Sequence, residues 1–137
     1  MNDRDEQIDL FGPGAVLDHI GLGVSALDLL PIKPHEYFDP IQNVRVAFFS
    51  IHGLRLEAVQ PSDEHSPVFE RLRQGTKLLH LCFRVPDLDA AVREGKSKGL
   101  KAISRPAPAV AFGGRRIVWL FSPVLGLFEL VESAQPL

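Results

Sequence analysis

Four residues of this chain have the right types and spacing to hold a metal ion: His19, Glu57, His80 and Glu129. They fall at matched places in a sequence that repeats itself. The stretch Leu17-Asp18-His19-Ile20-Gly21-Leu22-Gly23-Val24-Ser25-Ala26-Leu27-Asp28 returns 61 residues later as Leu78-Leu79-His80-Leu81-Cys82-Phe83-Arg84-Val85-Pro86-Asp87-Leu88-Asp89, so that His19 falls on His80, Val24 on Val85, Leu27 on Leu88 and Asp28 on Asp89. A second echo, at a shift of 72, aligns Phe49-Ser50 and Glu57 with Phe121-Ser122 and Glu129. Each half thus carries a histidine on its first strand and a glutamate on its last. A twofold relation between the halves would bring two imidazole nitrogens and two carboxylate oxygens together. That donor set suits a divalent transition ion such as Mn, Fe, Co, Ni or Zn, one per chain, and leaves room for a substrate on a six-coordinate ion. Glu129 lies within the apolar run Leu127-Phe128-Glu129-Leu130-Val131. A buried carboxylate is costly unless something compensates it. The rival reading is a hydrogen-bonded His–Glu cluster without metal.

The elements that must position these residues follow from periodicity. Alternation along Leu17 to Val24 puts His19, Gly21 and Gly23 on one face, leaving space beside the imidazole as a ligand pocket would require. Likewise Arg55, Glu57 and Val59 share a face, as do His80, Cys82 and Arg84, and Leu127, Glu129 and Val131. Val44 to Phe49 and Leu54 to Val59 form a hairpin around Ile51-His52-Gly53. Ser66 caps a short helical connector with Pro67 at its first position. After the second histidine strand, Asp87 caps a helix that Gly99 ends. The first half has only Leu27-Asp28-Leu29-Leu30 there, followed by Pro31 and Pro34, which forbid a long helix. Its His-to-Glu spacing is 11 residues shorter than in the second half. The helix is therefore expected to shrink to a turn, and the shortfall is large enough to remove the second strand as well.

Other chemistry-bearing residues read as structural. His35, His52 and His65 lack counterparts in the other half and belong to loops. Cys82 is a small wall residue beside the site and a weak nucleophile candidate, having no paired motif. Gly113-Gly114-Arg115-Arg116 is a hairpin turn with a basic edge, or an anion-binding edge.

A length of 137 residues suits one compact domain, expected over residues 15–137 as two fused modules (about 15–61 and 76–133) behind a flexible polar arm at residues 1–14. Leu10 and Phe11 at the arm's end could dock on a neighbouring surface. The net charge of −2 gives no general pull toward nucleic acid or an acidic membrane. The single cysteine cannot form an internal disulfide, and neither a signal peptide nor a spanning apolar run is present. A cytoplasmic protein is expected.

From about Leu17 to Glu132 these residues resemble the vicinal-oxygen-chelate superfamily, the glyoxalase and bleomycin-resistance fold. Leu17-Asp18-His19-Ile20-Gly21-Leu22-Gly23-Val24 looks like its opening strand. Leu56-Glu57-Ala58-Val59-Gln60-Pro61, then Ser66-Pro67-Val68, Leu79-His80-Leu81 and Leu127-Phe128-Glu129-Leu130-Val131 resemble its methylmalonyl-CoA epimerase branch in order. Phe38 to Arg45 and Pro108 to Arg115 look like a divergent branch labelled glyoxalase-like. The resemblance implies an α+β fold of two tandem βαβββ modules forming a cupped sheet around the metal, the first module shortened, usually in a homodimer. It carries the four metal positions over to His19, Glu57, His80 and Glu129.

That chemistry is metal-assisted enolate formation on a small-molecule substrate with two adjacent oxygens, a CoA thioester in the epimerases. A base must remove the acidic proton. The epimerase position for a catalytic carboxylate falls near Ile41 and Gln42, and neither is a base. Asp39 is close enough to substitute, and Glu129 could double as a proton carrier. The reading is a metal-dependent isomerase or lyase, with a non-catalytic resistance-type binding protein of the same fold as the alternative. A ring-cleaving dioxygenase is disfavoured by the extra ligand Glu57 and the small size.

Overall fold

The computed structural model describes residues 5–133, and within it the sequence repeat is a structural repeat. The first copy contains β1 (Val16–Gly23), a 3-10 turn (Leu27–Leu29), β2 (Glu36–Asp39), β3 (Val44–Ile51) and β4 (Leu54–Pro61). A short helix, α1 (Pro67–Arg73), leads into the second: β5 (Leu78–Val85), α2 (Leu88–Ser97), β6 (Lys101–Ala102), β7 (Ala107–Pro108), a 3-10 turn (Val110–Phe112), β8 (Arg116–Ser122) and β9 (Gly126–Glu132). The described strands make one open, curved nine-stranded sheet of order β2-β3-β4-β1-β5-β9-β8-β6, with β7 beside β8. Strand β1 runs parallel to β4 and β5 parallel to β9, while the antiparallel pair β1–β5 joins the copies at the centre. The strand order is symmetric about that joint, as an approximate twofold axis demands.

Local signals set the helices. The Asp87 carboxylate accepts a hydrogen bond from the Ala90 amide at the start of α2, and Gly99 ends the helix with φ +90°. The buried face of α2, Leu88 and Ala91, packs on Leu100, Val118, Leu120, Phe128 and Leu130. Ser66 caps α1 by accepting from the Val68 amide. No described helix is long and apolar enough to cross a membrane.

The first copy keeps more than its length suggested. Its helix is reduced to the 3-10 turn, but β2 is retained and pairs with β3 from Glu36↔Ala47 to Asp39↔Val44. The turn has three residues where α2 has ten, so the helix gives up seven of the 11 missing residues. One turn suffices because Leu27 seats on the fully buried alanines Ala47 and Ala58, whose small side chains let it approach the sheet.

Two further points concern the arm and the repeat. The arm is exposed over residues 5–9 and docks at Phe11. Phe11 is 5% exposed, within 5.6 Å of both the Phe83 and Phe128 rings, and part of the α2 core. Burying such a side chain contributes about 1.5–3 kcal/mol, enough to anchor the segment. The arm's first four residues lie outside the described ones. The Phe49-Ser50 and Phe121-Ser122 echo is also displaced by one residue. Glu57 faces Phe48 across its hairpin, whereas Glu129 faces Trp119. The second hairpin closes over three residues between Ser122 and Gly126, the first over two between Ile51 and Leu54.

Candidate metal centre

The central β1–β5 register builds the site. His19 pairs with Cys82, and Gly21 with His80, so each imidazole lies across from the residue two beyond the other histidine. The parallel ladders add the carboxylates by the same rule: Gly21 pairs with Glu57 and Cys82 with Glu129. Gly21 is obligatory here. A Cβ on it would stand 2.2 Å from Cε1 of His80, inside the ring's own volume. The space beside Gly21, expected to admit a ligand, is therefore filled by the second imidazole. That beside Gly23 is filled by Leu72 of α1, at 2.5 Å from a built Cβ.

All four predicted ligands meet. The two Nε2 atoms are 3.2 Å apart. Each lies 3.4 Å from Glu57 Oε1 and 3.3 Å from Glu129 Oε1. Donors held about 2.0–2.2 Å from one ion stand roughly 3.0–3.4 Å apart, the spacing seen. Glu129 Oε1 is buried and has no hydrogen-bond partner among the described residues. Burial opposes charge on His19, yet its hydrogen bond to Asp18, with contributions from Cys82, Glu129 and Glu57, raises its pKa. His80 is raised too, against burial, by Glu129 and Glu57. Burial works against ionised Glu57, but hydrogen bonds from His19 and His80 hold it down to about 2. Positive charge is thus favoured at the middle of the four donors, and a divalent cation fits them.

Residues around the cluster shape it further. A β-bulge between Leu17 and His19 turns Asp18 toward the imidazole, where its Oδ2 accepts from His19 Nδ1 at 2.8 Å. Arg55 and Arg84 donate to the same carboxylate at 2.7 and 2.9 Å. Phe48 stands edge-on to His19 at 5.3 Å, and Trp119 takes the matching place on His80 at 4.8 Å. The buried Cys82 thiol has its pKa pushed up, first by burial and then by Glu129, which makes it an inert wall. Asp18 and the two aromatic rings escaped the sequence reading. The signal for Asp18 was a break in the repeat, since the residue before His80 is Leu79.

A cavity of about 560 Å³ opens from the cluster over the concave sheet face. Glu57, His80 and Glu129 line its inner end, while His19 is sealed behind them at 0% exposure. The β2–β3 loop, α1 and the β6–β7 segment form its walls, with His65, Arg71 and Arg105 among the lining residues. Asp39, the expected substitute base, is on that wall, and its carboxylate is engaged by the loop. Its Oδ1 accepts from the Ile41 and Gln42 amides and its Oδ2 from Gln42 Nε2. Gln42 Oε1 in turn accepts from Trp119 Nε1, tying the loop to the second module. Arg115 and Arg116 are also engaged. Arg116 forks onto Glu132, and Arg115 caps the carbonyls of Phe112, Glu132 and Ser133. His52 lies in the β3–β4 turn, and His35 precedes β2.

Residues 17–119 match the sequence profile of the Glyoxalase/Bleomycin resistance protein/Dioxygenase superfamily. No curated protein matches the sequence. Among solved structures, hypothetical protein BH1468 from Bacillus halodurans C-125 is similar at 26% identity and TM-score 0.77, over 90% of this chain and 98% of that one. Methylmalonyl-CoA epimerase from Mycobacterium tuberculosis is similar at 27% identity and TM-score 0.73, over 96% and 95%. A substituted Streptomyces coelicolor methylmalonyl-CoA epimerase in complex with 2-nitronate-propionyl-CoA is similar at 27% identity and TM-score 0.68, over 87% and 97%.

Proposed function

The chain belongs to the glyoxalase/bleomycin resistance/dioxygenase superfamily, and we propose that it is a metal-dependent isomerase acting on an acyl-CoA thioester, an epimerase. The observation that carries this is the set of four donors 3.2–3.4 Å apart, with Glu129 Oε1 unsatisfied, at the inner end of a substrate-sized cavity. The likeness to epimerase structures supports the substrate class. His19, Glu57, His80 and Glu129 would hold one divalent transition ion, which when bound supplies a Lewis acid for a developing enolate. His19 anchors from behind, while Glu57, His80 and Glu129 face the substrate. The apolar wall from Val44, Val46, Val59 and Leu79 keeps water from the reacting carbon. We place proton transfer on the Glu129 carboxylate, because the three hydrogen bonds on Asp39 leave it a loop-holding part.

One observation favours a second reading, a non-catalytic binding protein. The wall where the epimerases place a carboxylate here presents Ile41 and Gln42, and Gln42 is fixed between Asp39 and Trp119. A single experiment separates the two. Chain purified without chelators is expected to carry about one transition metal, absent from His80→Ala, and to exchange the α-proton of a 2-carboxyacyl-CoA thioester with deuterium oxide. Metal and ligand binding without exchange would leave the binding protein. No metal, and none taken up from added Co, Ni, Mn or Zn, would reduce the cluster to a structural His–Glu group.

A homodimer belongs to the same proposal. Leu17, Leu78 and Leu81 lie on the two central strands yet are 46%, 68% and 37% exposed, which a partner surface would relieve. Light scattering is expected to give twice the 15.2 kDa of one chain, and a monomer at working concentration would remove the assignment.

A further inference from the structure

We infer that Asp18, clamped by Arg55 and Arg84, is a positioning residue for the centre. It holds the proton of His19 on Nδ1 and so presents Nε2 to the ion. The inference rests on the metal reading above. Three observations carry it. Asp18 is 8% exposed and delivers Oδ2 to His19 Nδ1 at 2.8 Å, a contact between sequence neighbours that a regular strand would forbid and the bulge in β1 allows. Its two oxygens are held by guanidiniums from different modules: Arg55 of β4 on Oδ2 and Arg84 of β5 on Oδ1. Arg55 is itself seated on the Phe48 ring, 4.0 Å from its centroid, and Phe48 packs on His19. The clamp therefore spans β4, β1 and β5, the strands carrying Glu57, His19 and His80.

The arrangement has no counterpart in the other half, where Leu79 precedes His80. The two histidines are consequently different ligands. His80 borders the cavity and can adjust with substrate. His19 is sealed in, and only a fixed tautomer lets it bind from that position, because an Nε2 that kept its proton could not ligate. A carboxylate accepting the other ring proton enforces this and raises ligand basicity. The two arginines offset the cost of burying that carboxylate, which would otherwise stand unpaired.

The test is a zinc competition titration of the whole chain against a chromophoric chelator, with proton NMR of the zinc-loaded protein. Asp18→Ala is expected to weaken zinc binding 10–100-fold, the range for loss of such a partner. It should also abolish the far-downfield signal of His19 Nδ1–H. Arg55→Met with Arg84→Met, at half-exposed positions, leaves Asp18 its bond to His19 and should fold at reduced stability, weakening zinc several-fold while shifting that signal. Affinity within twofold of the parent, with the signal unmoved, in either variant would overturn the role. The double variant decides alone if Asp18→Ala does not fold. A parent chain that binds no zinc overturns the metal reading instead, and this role with it.

Discussion

Gly21→Ala is expected to leave a folded chain that has lost tight metal binding, with affinity down at least a hundredfold. The added Cβ would fall 2.2 Å from Cε1, 2.4 Å from Nδ1 and 2.7 Å from Nε2 of His80. No small shift resolves three such overlaps, because the ring is rigid and Trp119 stands edge-on against it at 4.8 Å. The imidazole must swing out of the cluster, taking one nitrogen ligand with it. Overpacking of this kind costs about 1–3 kcal/mol in folding stability. The loss in metal affinity should be larger, because an orienting partner alone is worth 10–100-fold and a whole ligand is worth no less. Gly23→Ala is the matched control. Its Cβ would meet Leu72 Cδ2 at 2.5 Å, the far end of a flexible side chain on α1. Metal affinity should then stay within about threefold, at a stability cost near 1 kcal/mol. Isothermal titration and thermal denaturation of both variants check this. Equal metal affinity in Gly21→Ala and the parent would remove His80 from the site.

This glycine also marks how far the sequence could be read. Strand alternation has period two, so the face shared by His19, Gly21 and Gly23, and that shared by Leu127, Glu129 and Val131, could be read from spacing alone. Matching the copies then brought the four ligands to one place. What fills the space over Gly21 depends on the register between β1 and β5, a relation between segments 61 residues apart that neither segment encodes locally. A small residue that reads as room for a ligand is here room for a neighbouring side chain. The bulge that turns Asp18 onto His19 is likewise a property of the pair of strands, since the extra residue has meaning only against a partner.

The same limit applies to the other features that the sequence left open. Two proline-bounded turns of chain could have removed a helix, a strand or both. That the helix yielded and β2 stayed follows from the pairing of β2 with β3 and the seat Ala47 and Ala58 offer Leu27. Phe11 sat among polar residues and glycines, and only the aromatic pocket of Phe83 and Phe128 makes it core. Asp39 stood at a plausible distance along the chain for a base. Its hydrogen bonds to Ile41 and Gln42 are the local Asx-type bonds that turns offer an aspartate, and they compete with chemistry for the same lone pairs.

Glu129→Gln separates a metal centre from a structural His–Glu cluster, and metal affinity is expected to fall at least tenfold. The side chain is 2% exposed, so little water is available to replace the lost donor. Its Oε1 lies 3.3 Å from both Nε2 atoms without a hydrogen bond, the place where a carboxylate would meet an ion they share. An amide of the same shape keeps the packing but removes the charge. The ion would then stand in a buried site with one carboxylate, Glu57, in place of two, and a net positive charge there is poorly tolerated. The effect can be read as the gain in stability on adding metal, which cancels whatever the substitution does to the metal-free chain. At a metal concentration a hundred times the parent Kd that gain is about 2.7 kcal/mol, and tenfold weaker binding reduces it to about 1.4 kcal/mol. If the cluster were structural, neither chain would gain stability on adding metal. An equal, non-zero gain in both would leave the metal in place and take Glu129 out of its ligand set.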